Sequence, residues 1–278
     1  ALSPAAFADS LAYLKDSNVW IANVDGTNAY QVTLDGTAAD PYRSVSQDDS
    51  GILVAARGKR IYRLRQNGDV LATLPVAAYS NGNTDPNSIT APLPDEDVSP
   101  PNDVDVTPDG TKVAYWFAST CFSSSFGGQQ PCSRFGVSYT TRFTTPAETD
   151  TGDSHGSYPE WVGNVRLVGA SGTQLTVTEA PETPDCPAGQ PYCDRSFWLT
   201  NCYTPPSSPQ VCEAPREHAV SRDGTRLAVV STETGTGAAY RLVLYTPAGL
   251  PAPGAPDPPP GGATQPAPQS RFSGPPGG

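Results

Sequence analysis

The chain has 278 residues, of which 37% are hydrophobic and 9% aromatic, and 26 glycines with 31 prolines supply about a fifth of all positions. This composition favours turns and short strands over helices. The net charge of −11 argues against nucleic acid as a partner, because such binding depends on neutralising phosphates. No apolar run approaches the ~18 residues that a membrane span requires, so the sequence predicts a protein that does not cross a membrane.

The first residues resemble the end of a secretory signal peptide. Ala6-Phe7-Ala8 is an A-x-A cleavage pattern that follows small residues. We therefore predict that residues 1–8 are the remainder of a signal sequence, the alternative being an ordinary N-terminal arm. The pattern predicts a protein that is secreted or extracytoplasmic, in the periplasm or the cell wall.

After this segment the sequence predicts strands and turns with no helix. Apolar residues alternate or cluster in runs of four to seven bounded by Gly, Asp, Asn and Pro. The predicted strands, in chain order, are 11–14, 19–24, 51–56, 61–64, 112–116, 165–168, 227–230 and 241–245. Asp-Gly or Asn-Gly pairs at 25–26, 35–36, 67–68, 109–110 and 223–224 supply the positive-φ positions of tight turns.

One segment recurs along the chain. Residues 44–55, 105–115 and 219–229 share a plan of Val, Ser or Thr, any residue, Asp, a turn and an apolar strand, which aligns Asp48 with Asp109 and Asp223. A degraded copy at 158–168 keeps the strand and lacks the Asp-Gly turn. The near-regular period is typical of β-propellers, whose blades must stack on their neighbours to bury both faces.

The sequence TPDGTKVAY at 107–115 resembles the S-P-D-G-x-x-I-A-F centre of the TolB-like, or WD-like, β-propeller repeat. Residues 19–28 resemble the hairpin that follows it in that family, and residues 61–68 do so with Asn in place of Asp. The resemblance implies an all-β propeller, here of about five to six blades, with protein contacts through its faces. The period is longer than is usual in the family, and we attribute this to inserted loops such as 81–103 and 121–132. The excess of Arg over Lys and the absence of Met are typical of bacteria with GC-rich genomes, which fits a secreted bacterial member.

The predicted domain organisation therefore has three parts. Residues 1–8 are the arm, residues 9–246 form the propeller, and residues 247–278 form a Pro/Gly-rich tail or linker. Within that tail, residues 269–273 resemble the start of another repeat.

Six cysteines fall into three pairs that are local in sequence: Cys121 with Cys132, Cys186 with Cys193, and Cys202 with Cys212. Their even number favours disulfides, and local pairing is one of 15 possible connectivities. The intervals are too wide for a zinc site, and the chain has only two histidines, so we predict no metal. Such bridges would keep long loops ordered without a core of their own.

Signals for catalysis are weak. Residues 152–156 match G-x-S-x-G, but no apolar strand precedes Ser154 and no helical pattern follows it, so we predict a polar loop. The carboxylates at 95–97 and 103–105 suit Ca²⁺ chemically, yet they match no calcium-loop spacing, and we predict a solvated acidic loop. We predict no catalytic residue and no cofactor.

Five of the seventeen basic residues lie within nine positions: Arg57, Lys59, Arg60, Arg63 and Arg65. Strand alternation would place Arg63 and Arg65 on one face. The cluster is a weak candidate for a patch that binds an anionic partner. The alternative is a solvated outer strand whose charges guard an exposed edge.

These patterns favour a secreted, non-catalytic β-propeller scaffold that binds an extracytoplasmic protein or a component of the cell envelope. One alternative is an extracellular hydrolase or lyase that uses loop carboxylates around the propeller channel. Another is a structural or assembly-forming secreted protein whose Pro-rich tail mediates contacts. The residues alone do not identify the partner.

Overall fold

The computed structural model describes residues 10–75, 99–123, 128–139, 149–150, 157–171, 174–179, 196–200, 202–203, 211–233, 240–246 and 270–273. These ranges hold twenty β-strands and no helix, as the sequence predicts. Accordingly, nothing in them is a helix long and apolar enough to cross a membrane. The chain divides into two compact units, Ala1–Asp153 and Ser154–Gly278.

The first unit contains three antiparallel sheets, each a meander of successive strands. The first sheet consists of β1 (Ser10–Lys15), β2 (Asn18–Asn23) and β3 (Tyr30–Gln31). The second consists of β4 (Tyr42–Gln47), β5 (Leu53–Arg57), β6 (Arg60–Leu64) and β7 (Val70–Pro75). The third consists of β8 (Asp103–Val106), β9 (Lys112–Ser123), β10 (Gly128–Tyr139) and β11 (Thr149–Asp150).

The second unit contains two sheets of the same kind. The fourth sheet consists of β12 (Ser157–Val162), β13 (Arg166–Ser171), β14 (Gln174–Glu179) and β15 (Ser196–Thr200). The fifth consists of β16 (Cys202–Tyr203), β17 (Val211–Val220), β18 (Leu227–Glu233), β19 (Tyr240–Tyr245) and β20 (Ser270–Ser273). Because β20 pairs with β19, the end of the predicted tail completes this sheet and does not start another repeat.

Within each unit, successive sheets lie against one another through β1 and β4, β4 and β8, and β12 and β17. In the fifth sheet β17 is the second strand, because the two-residue β16 precedes it. The same backbone hydrogen bond joins sheets in both units. Asp49 N donates to Pro108 O at 2.9 Å, and Gly163 N donates to Arg222 O at 2.9 Å. Stacked four-stranded meanders are the blades of a β-propeller. The predicted all-β propeller fold is therefore confirmed, with five sheets in the described residues, while the predicted domain bounds 9–246 stay a prediction.

Buried apolar side chains fill the spaces between sheets of one unit. One cluster lies between the first and second sheets and includes Val19, Ile21, Tyr42, Leu53 and Leu64. A second joins the second and third sheets through Val54, Ile61, Val104, Val106 and Tyr115. A third joins the fourth and fifth sheets through Val162, Val168, Val177, Val229 and Val243. Each sheet thus buries a face that it cannot cover alone.

The repeat turns follow the prediction with one correction. Gly110 has φ +70° in the turn after β8, and Gly224 has the same φ in the turn after β17. Gly51 has φ +86° in the second sheet, and its N–H donates to Asp48 O as that of Gly110 donates to Thr107 O. Asp48 therefore aligns with Thr107 and not with Asp109, so the predicted alignment is wrong by two residues.

Two other expectations also need correction. Gly36 does not have a positive φ, and a Cβ built on it would collide with the backbone carbonyl of Ser17. Glycine is required there for close approach of two backbones and not for a hairpin turn. The predicted inserted loop at 121–132 is instead an extension of the β9–β10 hairpin, in which both cysteines lie in strands.

Candidate functional site

The predicted basic cluster is centred on the β5–β6 hairpin, where Arg57 and Arg60 are direct cross-strand partners. Two acidic residues of the preceding segment bind the Arg57 side chain. Its guanidinium forms ion pairs with Asp35 and, at 2.8 Å, with Asp40. The guanidinium also lies over the ring of Tyr42, 5.5 Å from its centroid. Arg57 is therefore a structural anchor of the hairpin.

The electrostatics of this anchor follow from its burial. Burial raises the pKa of Tyr42 to about 12, and the nearby Asp35 carboxylate adds to the effect. Burial by itself would lower the pKa of Arg57, but hydrogen bonds to Asp40, Tyr42 and Asp35 raise it overall. Tyr42 therefore stays neutral and Arg57 stays charged at neutral pH. The contacts of this anchor persist across the physiological pH range.

Other cations surround the anchor. Arg43 is exposed at the bulge where the pairing of β4 with β5 shifts register, and Arg60 is exposed opposite Arg57. Lys59 lies in the turn between β5 and β6 and is half-buried. We call Arg43, Arg57, Lys59 and Arg60 the cationic end of the second sheet. Arg57 pairs with Asp35 and Asp40, and the exposed guanidinium groups of Arg43 and Arg60 add positive charge at this end of the sheet, in a chain whose net charge is −11.

The remaining two basic residues of the predicted patch lie elsewhere. Arg63 is opposite Val54, so it is on the sheet face that packs towards the third sheet, whereas Arg60 is on the other face. Arg65 lies beyond the end of β6, in the following turn, with its Nη1 3.6 Å from Asp69 Oδ2. The expectation that Arg63 and Arg65 share a strand face is therefore wrong, because the strand ends at Leu64.

The carboxylates of Asp103 and Asp105 lie in strand β8 and not in the acidic loop that the sequence predicts. Ser44 Oγ donates to Asp103 Oδ1 at 2.8 Å, and Ser46 Oγ donates to Asp105 Oδ1 at 2.5 Å. The same hydroxyls accept hydrogen bonds from the N–H groups of Val104 and Val106, at 3.0 and 3.2 Å. Since β8 is an edge strand, the two serines satisfy backbone donors that strand pairing leaves open.

Sequence reasoning missed this polar ladder, although a signal for it exists. In the corrected repeat alignment, Ser44 and Ser46 occupy the positions of Asp103 and Asp105. Ser-Val-Ser in one copy and Asp-Val-Asp in the next are complementary hydroxyl and carboxylate pairs at the same repeat position. These hydrogen bonds join the second sheet to the third, and the carboxylates of Asp103 and Asp105 both take part in them.

The second unit has a different polar group at its inter-sheet contact. His218 of β17 is 7% exposed, and neither ring nitrogen makes a hydrogen bond of normal geometry. Burial lowers the pKa of His218 to about 4, and the backbone of Val168 opposes this effect in part. The imidazole is therefore neutral at physiological pH.

The remaining sequence candidates are only partly placed. Cys202 and Cys212 are direct cross-strand partners in the β16–β17 pair, whereas Cys121 lies opposite Gln130 and Cys132 opposite Ser119. The three predicted disulfides stay a prediction, and Cys186 and Cys193 lie outside the described residues. Ser154 and the carboxylates at 95–97 also lie outside them. In the part of the chain that the structure describes, no three His, Cys, Asp or Glu side chains form a possible metal site.

Comparisons with known proteins return structural similarity alone. No protein-family model matches the chain, and no curated protein matches it in sequence. Among solved structures, the Dos1 propeller is 14% identical with a TM-score of 0.41, covering 78% of this chain, which spans 45% of the Dos1 chain. A Bacteroides caccae protein of unknown function is 9% identical, with a TM-score of 0.47 and coverage of 95% and 72% of the two chains. The Neurospora crassa Pan2 WD40 domain is 12% identical, with a TM-score of 0.35 and coverage of 78% and 68%.

Proposed function

We propose that this protein is a non-catalytic β-propeller scaffold of the TolB-like kind that acts outside the cytoplasm. On this proposal it binds another extracytoplasmic protein or a component of the cell envelope. The A-x-A pattern at its start and its six cysteines support that location. The motif at 107–115 supports the TolB-like assignment.

The cationic end of the second sheet is the observation that carries the binding role. Arg57 is fixed by two carboxylates and an aromatic ring, which holds the hairpin in place. Arg43 and Arg60 are exposed beside it. A rigid surface with exposed guanidinium groups favours carboxylate-bearing partners, because the planar fork of Arg binds them with two hydrogen bonds and little loss of conformational freedom. We therefore propose that an acidic protein surface docks here.

The use of carboxylates inside the scaffold supports the non-catalytic part of the proposal. Asp103 and Asp105 are hydrogen-bonded across a sheet contact. Asp109 accepts from Thr107 and Thr111, and Asp223 accepts in the same way from Ser221 and Thr225. These acidic groups organise strands and turns, which is the work of a scaffold.

The test uses the full chain immobilised and exposed to solubilised envelope proteins of the source organism. We expect the double variant R43S/R60S to lose captured partner by about tenfold at low salt, as removal of rim charges weakens steering. Raising the ionic strength to about 0.5 M should reduce capture by the unmodified chain in the same way.

Arg226→Ser is the matched control, since Arg226 is an exposed arginine of the second unit. Capture that is lost equally in both variants would contradict docking at the cationic end. Turnover of ester or glycoside substrates by the purified chain, retained in R43S/R60S, would contradict the scaffold role itself.

A further inference from the structure

His218 lies in the contact between the fourth and fifth sheets. It is opposite Val229 of β18 and two residues before Val220, and both valines belong to the apolar cluster of the second unit. Val168 of β13 faces it across the contact and is fully buried. The imidazole is 93% buried among valines, so a positive charge on it would be poorly solvated.

The charged groups facing this contact are few. Register places Glu160 of β12 opposite Val168, and Arg166 of β13 opposite both Val162 and Glu179. Glu160 and Arg166 are half-buried on the sheet face that packs against β17. On β18, the residues sharing the face of His218 in the described side chains are Leu227 and Val229. Tyr245 of β19 belongs to the same buried cluster, and the register places Glu179 on the sheet face of Arg166. The neutral imidazole therefore packs on an apolar surface that includes one tyrosine, and the charged groups of this face are Glu160, Arg166 and Glu179.

We propose that the contact between the fourth and fifth sheets is acid-sensitive, because protonation of His218 places a positive charge inside its apolar cluster and loosens β17 from the fourth sheet. This goes beyond the proposed binding role and stands or falls separately from it. The second unit would then open under acid conditions that leave the first unit closed.

The direction and size of the effect follow from proton linkage. The unfolded imidazole titrates near 6.5 and the buried one near 4, so between these values the open form binds a proton that the closed form does not. Stability from this group is complete above pH 6.5, falls as the pH drops and is lost below pH 4. The difference of 2.5 in pKa corresponds to roughly a 300-fold rise in the opening equilibrium constant.

Amide hydrogen exchange of the full chain between pH 7 and pH 4, corrected for intrinsic exchange rates, tests this. We expect protection of peptides from β13, β17 and β18 to fall by up to about 100-fold over this range, reversibly, while peptides from β5 and β9 change much less. His218→Leu fills a similar volume without titrating, so it should remove the selective loss. His155→Gln replaces the only other histidine and should leave the loss intact.

A second measurement keeps the proposal testable if His218→Leu does not fold. In the His155→Gln chain, His218 gives the single imidazole signal in an NMR titration. An apparent pKa near 4 supports the proposal, and one at or above 6 overturns it. An acid-induced loss of protection equal in both units, or unchanged in His218→Leu, also overturns it.

Discussion

The second sheet meets the third through the same kind of backbone hydrogen bond that joins the fourth sheet to the fifth. The side chains at these two contacts have different chemistry. In each contact a backbone N–H that follows a strand of one sheet, that of Asp49 or Gly163, donates to a carbonyl inside the Gly-containing turn of the next sheet, that of Pro108 or Arg222. In the first unit, Ser44 and Ser46 bond to the backbone and carboxylates of β8. In the second unit, the corrected alignment puts Ala219 where Asp105 stands and His218 where Val104 stands.

The two contacts share their backbone geometry and differ in their side chains. The backbone bond fixes how one sheet meets the next, and it needs only a turn of the right shape. Both contacts hold an apolar cluster, to which the first unit adds a polar ladder and the second unit a buried imidazole. Sheets of one architecture can therefore respond differently to acid, salt and mutation.

The largest effect is expected from placing a charge in the apolar contact. Val243 is 2% exposed within the cluster of the second unit. Val243→Asp should destabilise that unit by more than about 4 kcal/mol, because the carboxylate has no partner there. Leu244→Asp is the control, since Leu244 is on the opposite face and 37% exposed. Urea denaturation with exchange-resolved peptides would measure both, and equal losses would contradict the assignment of the buried face.

A smaller effect is expected at the turn that touches the neighbouring sheet in the first unit. Gly110 has φ +70°, and a Cβ there would collide with the Asp48 carboxylate. Gly110→Ala should cost about 2–4 kcal/mol, combining backbone strain with displacement of Asp48. Gly26→Ala shares the strain, with φ +79°, and meets nothing within 4 Å, so it should cost about 1 kcal/mol. Similar melting temperatures for the two variants would contradict a close contact between the Gly110 turn and Asp48 of the second sheet.

The polar ladder should give the smallest effect, and a double-mutant cycle isolates it. Ser46→Ala, Asp105→Ala and the double variant should yield a coupling energy of about 1.5 kcal/mol, typical of a hydrogen bond to a charged group. Glu217→Ala in the second unit is the reference for removing a carboxylate that is not part of the ladder. Glu217 is exposed and aligns with Asp103, and Ala219 stands at the position of Asp105. A coupling energy indistinguishable from zero would mean that the ladder orients the sheets without stabilising them.

Much of the architecture was predictable because it is local. The turns at 109–110 and 223–224 need a residue with φ near +70°, and the Asp-Gly pair in the sequence predicts such a turn. The two-residue error at Asp48 arose because Asp48 and Ser50 exchange the carboxylate and hydroxyl roles that Thr107 and Asp109 hold. Either order satisfies the same turn, so residue identity alone misaligned it.

The candidate sites were less predictable because their partners are distant in sequence. Arg57 belongs to the predicted basic cluster, yet its partners Asp35 and Asp40 precede it by 22 and 17 residues. Ser44 and Asp103 are 59 residues apart. His218 differs from a surface histidine only by what packs against it, which no local pattern reveals.

Alternation, turn residues and period predict an all-β chain of repeated meanders, since each depends on neighbours along the chain. Three-dimensional packing sets which charges form internal contacts, which charges stay exposed at the cationic end, and the burial of His218 between two sheets. Those properties depend on desolvation and pairing between residues that folding brings together, and both are fixed by three-dimensional packing and not by order in the sequence.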